Sequence, residues 1–143
     1  MRDMARPHEF FDHTADIGVT VYGSTLADLF RNAALAMYEA MGRFTKAESG
    51  KRRTLDLRAP ALEDLLHDWL AELLYEVETN HILYDEIGID PLTPDHLTAI
   101  LRGGPIDFSR SQATEEIKAV TYHQLRVEQL PDATWRATVI FDV

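Results

Sequence analysis

At 143 residues the chain has the length of one ordinary domain, and its 24 acidic against 14 basic side chains give a formal charge of −10, the wrong sign for a phosphate-reading surface. It contains no cysteine, which excludes disulfides, a disulfide-linked partner, thiolate zinc and thiol catalysis, and suits a reducing cytoplasm. No stretch nears the ~20 apolar residues that span a bilayer, and the opening "MRDMARPHEF" lacks the apolar run of a secretory signal. The expectation is a soluble, cytoplasmic protein with no membrane partner.

In chain order, residues 1–7 carry no pattern and are expected to be a flexible leader to a single domain within 1–143. The stretch "FFDHTADIGV", 10–19, loads Asp12, His13 and Asp16 at the entrance of an alternating strand over Ile17–Tyr22. Ser24 and Thr25 then stand as N-cap candidates, with Asp28 at box-like spacing. The apolar stripe behind them, Leu26, Leu29, Phe30, Ala33, Ala34, Met37 and Met41, predicts a helix that Gly42 stops. "KRR" at 51–53 reads as a solvated loop before a strand over Thr54–Arg58.

A second helix is expected behind Pro60, burying Leu62, Leu65, Leu66, Trp69, Leu70, Leu73, Leu74 and Val77. Its outer face would carry Glu63, Asp64, Asp68, Glu72 and Glu76 in water. Ile82–Ile89 and Leu97–Arg102 read as strands joined by the turn-rich "DPLTPDH". Residues 103–116 are expected to be an irregular loop or flap, followed by a meander over Ile117–His123, Leu125–Leu130 and Trp135–Val143. Two one-faced helices and six or seven strands predict a two-layer α+β domain. In it, both helices pack on one face of a mixed, mostly antiparallel sheet.

Several chemistries lack their signatures. The six histidines show no i, i+4 helical pair for zinc, "GG" at 103–104 is not followed by Lys-Ser/Thr, and no Gly-x-Ser-x-Gly elbow occurs. Carboxylates are more suggestive. Trp135, Ala137, Val139, Phe141 and Val143 alternate to the last position, so the end is expected to be pinned in the sheet, with Asp142 and the α-carboxylate of Val143 beside each other. Two readings of Asp142 stay open: it caps and solvates an edge strand, or it joins an oxygen-only site for a hard cation such as Ca²⁺ or Mg²⁺. Lys118 likewise is either an edge-protecting charge or a cation held beside such a cluster and offered to a partner.

Three segments together resemble one family. "DHTADIGVTVYGSTLADLFRNAALAMYEAM" is similar to the amino-terminal signature of archease, "EIKAVTYHQL" to its second signature, and the ending "WRATVIFDV" to its closing strand. The match runs in order from about residue 8 to the end. The resemblance implies a small α+β protein that is not itself an enzyme but activates an RtcB-type RNA ligase, promoting guanylylation and multiple turnover in tRNA splicing and RNA repair. RNA would be met only through the ligase. It also implies a metal site of Asp16, Asp142 and Val143, with Ca²⁺ as the metal and Mg²⁺ or Mn²⁺ as substitutes. Lys118, with His13, would face the ligase. Val143 stands where Ile is common, a neutral change if only backbone oxygens contribute. The competing functions are a metal-dependent hydrolase or nuclease built on Asp16, Asp142 and His13, and a general RNA–protein chaperone without a metal.

Overall fold

Apolar periodicity places both helices. The computed structural model describes residues 7–13 and 16–143, with Asp12 and His13 described by their backbone alone. Helix α1, Leu26–Met41, starts where the Thr25 hydroxyl accepts the Asp28 amide at 3.1 Å and ends at Gly42, whose amide donates to the Tyr38 carbonyl. Helix α2, Leu62–Tyr75, follows with its own buried stripe and continues into a π turn, Glu76–Asn80. The helices touch through Trp69, whose indole N–H donates to the Phe30 carbonyl at 2.9 Å, so the largest core side chain leaves no orphan donor.

Among the described residues there are ten strands: β1 His8–His13, β2 Asp16–Gly23, β3 Gly42–Arg43, β4 Lys51–Arg58, β5 Ile82–Thr93, β6 His96–Pro105, β7 Gln112–Ala113, β8 Ala119–Val120, β9 Arg126–Gln129 and β10 Trp135–Asp142. The architecture is α+β, as expected, but the strands divide differently. They form a five-stranded sheet in the order β1-β2-β10-β8 with β9 also on β10, a three-stranded sheet β4-β6-β5, and a small β3-β7 pair. Every pairing among the described residues is antiparallel, so the expected mixed single sheet is corrected. Helix α1 packs on β2 and reaches β5, while α2 touches β8, β9 and β4, so one apolar core serves both large sheets.

Four further expectations change. Lys51–Arg53 belongs to β4 rather than to a loop, with Arg53 paired to acids on α2 and its π turn. Residues 103–105 close β6, and the remainder of the supposed flap holds a short 3₁₀ turn, Phe108–Arg110, and β7. Gly103 is required there, since a Cβ would lie 1.8 Å from the Leu83 carbonyl oxygen. Glu76, placed on the wet face of α2, is only 5% exposed. The seven-residue strand expected at 117–123 shrinks to Ala119–Val120, because Ile117 and Val120, three apart, are both buried and break the alternation. Of the expected leader, Pro7 has its carbonyl bonded by the Tyr22 amide at 2.8 Å, and residues 1–6 lie outside the described residues.

Candidate functional site

Antiparallel register brings the signature segments to one end of the five-stranded sheet. His13 pairs with Asp16 across β1 and β2. Ile17 pairs with Phe141 across β2 and β10, and Asp142 pairs with Ala119 across β10 and β8. Asp16 and Asp142 therefore flank the same Ile17–Phe141 pair on the same side of it. Phe141 is fully buried and Ile17 packs on the core, so alternation turns their neighbours Asp16 and Asp142 to the sheet's other face. Asp142 is exposed.

Three anchors hold this end. The Lys118 amide donates to the Asp142 carbonyl at 2.7 Å, and the Thr121 amide and hydroxyl both donate to the Ile140 carbonyl, at 3.1 and 2.8 Å. From α2, His67 Nε2 bonds the Val120 carbonyl at 2.9 Å while its ring stacks on Tyr122 at 4.0 Å. Partial desolvation, then the charges of Asp68 and Asp64, push the Tyr122 phenol above its ordinary value. Val143 follows, half-buried, with its side chain against the core. On the face away from the helices, Phe11 lies over Gly18. A Cβ at Gly18 would stand 2.2–2.5 Å from that ring, so glycine makes room for the aromatic cover beside the acids.

Each sequence-predicted residue has its place. Asp16, Asp142 and Val143 come together at the strand ends, and Lys118 adjoins them through its backbone. Its exposed side chain lines a groove along α2 with Tyr75, Glu78 and Thr79. His13 pairs with Asp16 by backbone register, and its side chain lies outside the described residues. Among the described residues no three His, Asp or Glu side chains are grouped to hold a metal ion. A set of Asp16, Asp142 and Val143 contains two such side chains, and its other oxygens would be main-chain or terminal. All are hard donors beside open solvent, which suits Ca²⁺ or Mg²⁺ with water completing the shell.

Sequence reasoning missed the support from β1 and from the His67–Tyr122 stack. Phe10 and Phe11 were the signal for β1, but their partners lie on another strand. No helix among the described residues is long and apolar enough to cross a membrane.

The chain is similar to known proteins over nearly its whole length. The model of the archease protein family matches residues 8–143. A protein archease of Methanosarcina barkeri is 37% identical over the full length of both chains, and one of Thermococcus gammatolerans is 34% identical over 96% of this chain and 99% of its own. The solution structure of Methanobacterium thermoautotrophicum protein 1598 is 33% identical and superposes with a TM-score of 0.72, covering 96% of this chain and 99% of that one. The crystal structure of a Thermotoga maritima archease, described as a possible chaperone, has the same fold at 23% identity, with a TM-score of 0.65 and full coverage of both chains.

Proposed function

The chain belongs to the archease family, and from that premise we propose that it is a non-catalytic cofactor of an RtcB-type RNA ligase. In this reading it promotes guanylylation of the ligase and lets it turn over repeatedly in tRNA splicing and RNA repair. The observation that carries the reading is the strand register: Asp16 and Asp142 flank one cross-strand pair, and the Asp142 carbonyl takes the Lys118 amide. Three segments remote in sequence thus meet at one sheet end. Carboxylates held by a rigid sheet, with the Lys118 ammonium on the adjoining segment, can stabilise a charged state of a partner without forming a covalent bond. The charge of −10 supports docking on a basic protein and leaves RNA to that protein.

Asp16 and Asp142 would hold a Ca²⁺ ion through carboxylate oxygens and Val143 through its main-chain or terminal oxygen. Mg²⁺ or Mn²⁺ would be accepted less well at an open, irregular site. When bound, such an ion supplies a fixed positive charge. The chain's own part is positional: β2 and β10 fix the two carboxylates, and the bond from its amide to the Asp142 carbonyl ties the Lys118 backbone, just before β8, to the same end.

The test follows guanylylated-ligase formation over time with wild type, Asp16→Ala and Lys118→Ala, alongside circular dichroism of each variant. Asp16→Ala should stay folded and lose stimulation of multiple turnover, while Lys118→Ala should weaken stimulation and keep metal binding. The protein alone should neither join nor cleave RNA. Full stimulation by a folded Asp16→Ala variant would end this reading, and RNA cleavage by the protein alone would favour a nuclease.

A further inference from the structure

A groove of about 500 Å³ lies between the end of α1, the π turn and the 3₁₀ turn. Its floor is apolar: Met41 and Val77 are buried, Phe44 packs on the core, and Phe108 forms one wall. Phe108 is 55% exposed, and its ring meets the His81 ring edge-on at 5.3 Å above this apolar floor.

This aromatic is not on a loose loop. Asp107 accepts the Ser109 amide at 3.0 Å, the Ser109 hydroxyl at 2.5 Å and Arg110 Nε at 2.7 Å. The Asp107 amide donates to the Thr45 carbonyl at 2.8 Å, and Arg110 Nη2 to the Lys46 carbonyl at 3.2 Å. The turn presents Phe108 already ordered, which lowers the entropy lost on binding.

The rim is acidic. Glu78, Glu115 and Glu116 border the groove, and among the described residues none of their carboxylates forms an ion pair. The neighbouring Arg110 is committed to Asp107. Although Glu78 is exposed as a residue, partial burial of its carboxyl, then the charge of Glu116, push its pKa above the ordinary value. A bound cation would relieve that repulsion. Glu78 also lines the neighbouring groove shared with the Lys118 side chain, and the Lys118 backbone amide bonds the Asp142 carbonyl.

We infer that this groove docks a basic segment of the partner protein, with one aliphatic or aromatic side chain entering between Phe108 and Val77 and flanking Lys or Arg residues meeting Glu78, Glu115 and Glu116. Only the identity of that partner, the ligase, rests on the proposed function. Asp16 and Asp142 then act on the partner's chemistry and the groove holds the partner in place. A like-charged second copy of this chain would be repelled by the rim.

The test uses the full chain and a short fluorescent peptide with one Leu flanked by Lys and Arg, its Leu→Ser form, and a form with Glu for every basic residue. Wild type should bind the first peptide alone, in a salt-sensitive manner. Phe108→Ala and Glu116→Lys, both on exposed positions, should each weaken it about tenfold or more at unchanged melting temperature. Equal affinity in both variants, equal binding of all three peptides, or Phe108-dependent self-association in sedimentation would each overturn the proposal. With the ligase, Phe108→Ala should need a higher concentration yet reach full stimulation, whereas Asp16→Ala should bind and fail to stimulate. Unaltered ligase affinity in both groove variants would remove the groove and leave the activator reading standing. Failure of wild type to stimulate any ligase would remove the activator reading, and the peptide result would then decide the groove.

Discussion

The three-stranded sheet and the Asp16–Asp142 end of the five-stranded sheet gather charge differently, although the latter sheet also holds an Arg136–Glu128 pair between β10 and β9. On the three-stranded sheet, acids and bases meet. Arg53 of β4 bonds Glu76 at 2.8 Å and Glu72 at 3.1 Å, and His96 of β6 bonds Asp56 at 2.5 Å with Thr98 adding 3.0 Å. The His96 bond, then that of Thr98, hold the Asp56 carboxyl below its ordinary range. On the five-stranded sheet, the start of β2 and the end of β10 bring two acidic residues, Asp16 and Asp142, to one end, with Val143 next in line. Opposite charges set together contribute to holding the fold. Two acids brought to one strand end by register, on the face away from the core, need not contribute in that way.

The largest effect belongs to the matched side. Arg53→Met strips the cation from Glu76, whose side chain is 7% exposed. Stranding a buried carboxylate costs about 3 kcal/mol, the low end of the usual range because Arg53 is itself a third exposed. Urea unfolding of Arg53→Met measures it, and adding Glu76→Gln should recover part of the loss. A loss below about 1 kcal/mol would mean that Glu76 is solvated in the native state and that the contrast between the sheets is overstated.

How much of this was legible in the sequence depended on how local the cause was. Helix α1 was readable because its stripe, its Thr25 cap and its Gly42 stop are all written within neighbouring turns. The alternation of β10 was readable for the same reason, and so was the placing of Asp142 and Val143 at its end. Pairing is a different matter. Nothing near Lys51–Arg53 announces that Arg53 will face Glu76 on the π turn, so the run read as a wet loop. The segment from Ile117 to His123 alternates well enough for a strand, yet only Ala119–Val120 pair with β10. His67 and the Tyr122 stack then draw the chain onto α2, a contact spanning 53 residues from His67 to Val120. The groove was missed because Phe108 looks like an ordinary loop aromatic until the Asp107 bonds that fix it are seen.

A smaller, local effect tests whether a matched charge governs the groove as well. Hydrogen bonds from Ser109 first, then Arg110, pull the Asp107 carboxyl down to about 2, against its ordinary 3.8. An acid with a depressed folded pKa adds stability above its unfolded value and loses it as pH falls through the folded one. The Phe108 turn should therefore stay formed from neutral pH to below the ordinary carboxylate range and loosen only as pH approaches about 2. The Ser109 amide resonance, followed by NMR, should titrate with that low midpoint. Asp107→Asn should remove the titration and weaken the basic peptide at neutral pH. A midpoint near the ordinary Asp value would mean that the turn does not hold its carboxylate.

The smallest change in stability is expected at the Asp16–Asp142 end, and there the smallness is informative. Asp16 and Asp142 lie on the face away from the helices, flanking a pair whose own side chains belong to the core. Replacing both by Asn keeps their volume and their hydrogen-bonding oxygens while removing two like charges. Without added metal, the Asp16→Asn, Asp142→Asn protein should unfold within about 0.5 kcal/mol of wild type, as substitutions away from core contacts and buried charges do. Calcium should separate the two proteins. An ion that binds only the folded state stabilises wild type by about 2.7 kcal/mol at a hundredfold excess over its dissociation constant. The double variant, with its two carboxylates gone, should gain almost nothing from the same addition. Urea unfolding with and without calcium supplies both numbers. If the double variant lost several kcal/mol in the absence of metal, the acids would be part of the scaffold, as Glu76 is. If it kept the calcium response, the ion would sit elsewhere. Only near-equality without calcium and a clear gap with it leaves the row of acids as a site held by the sheet rather than a component of it.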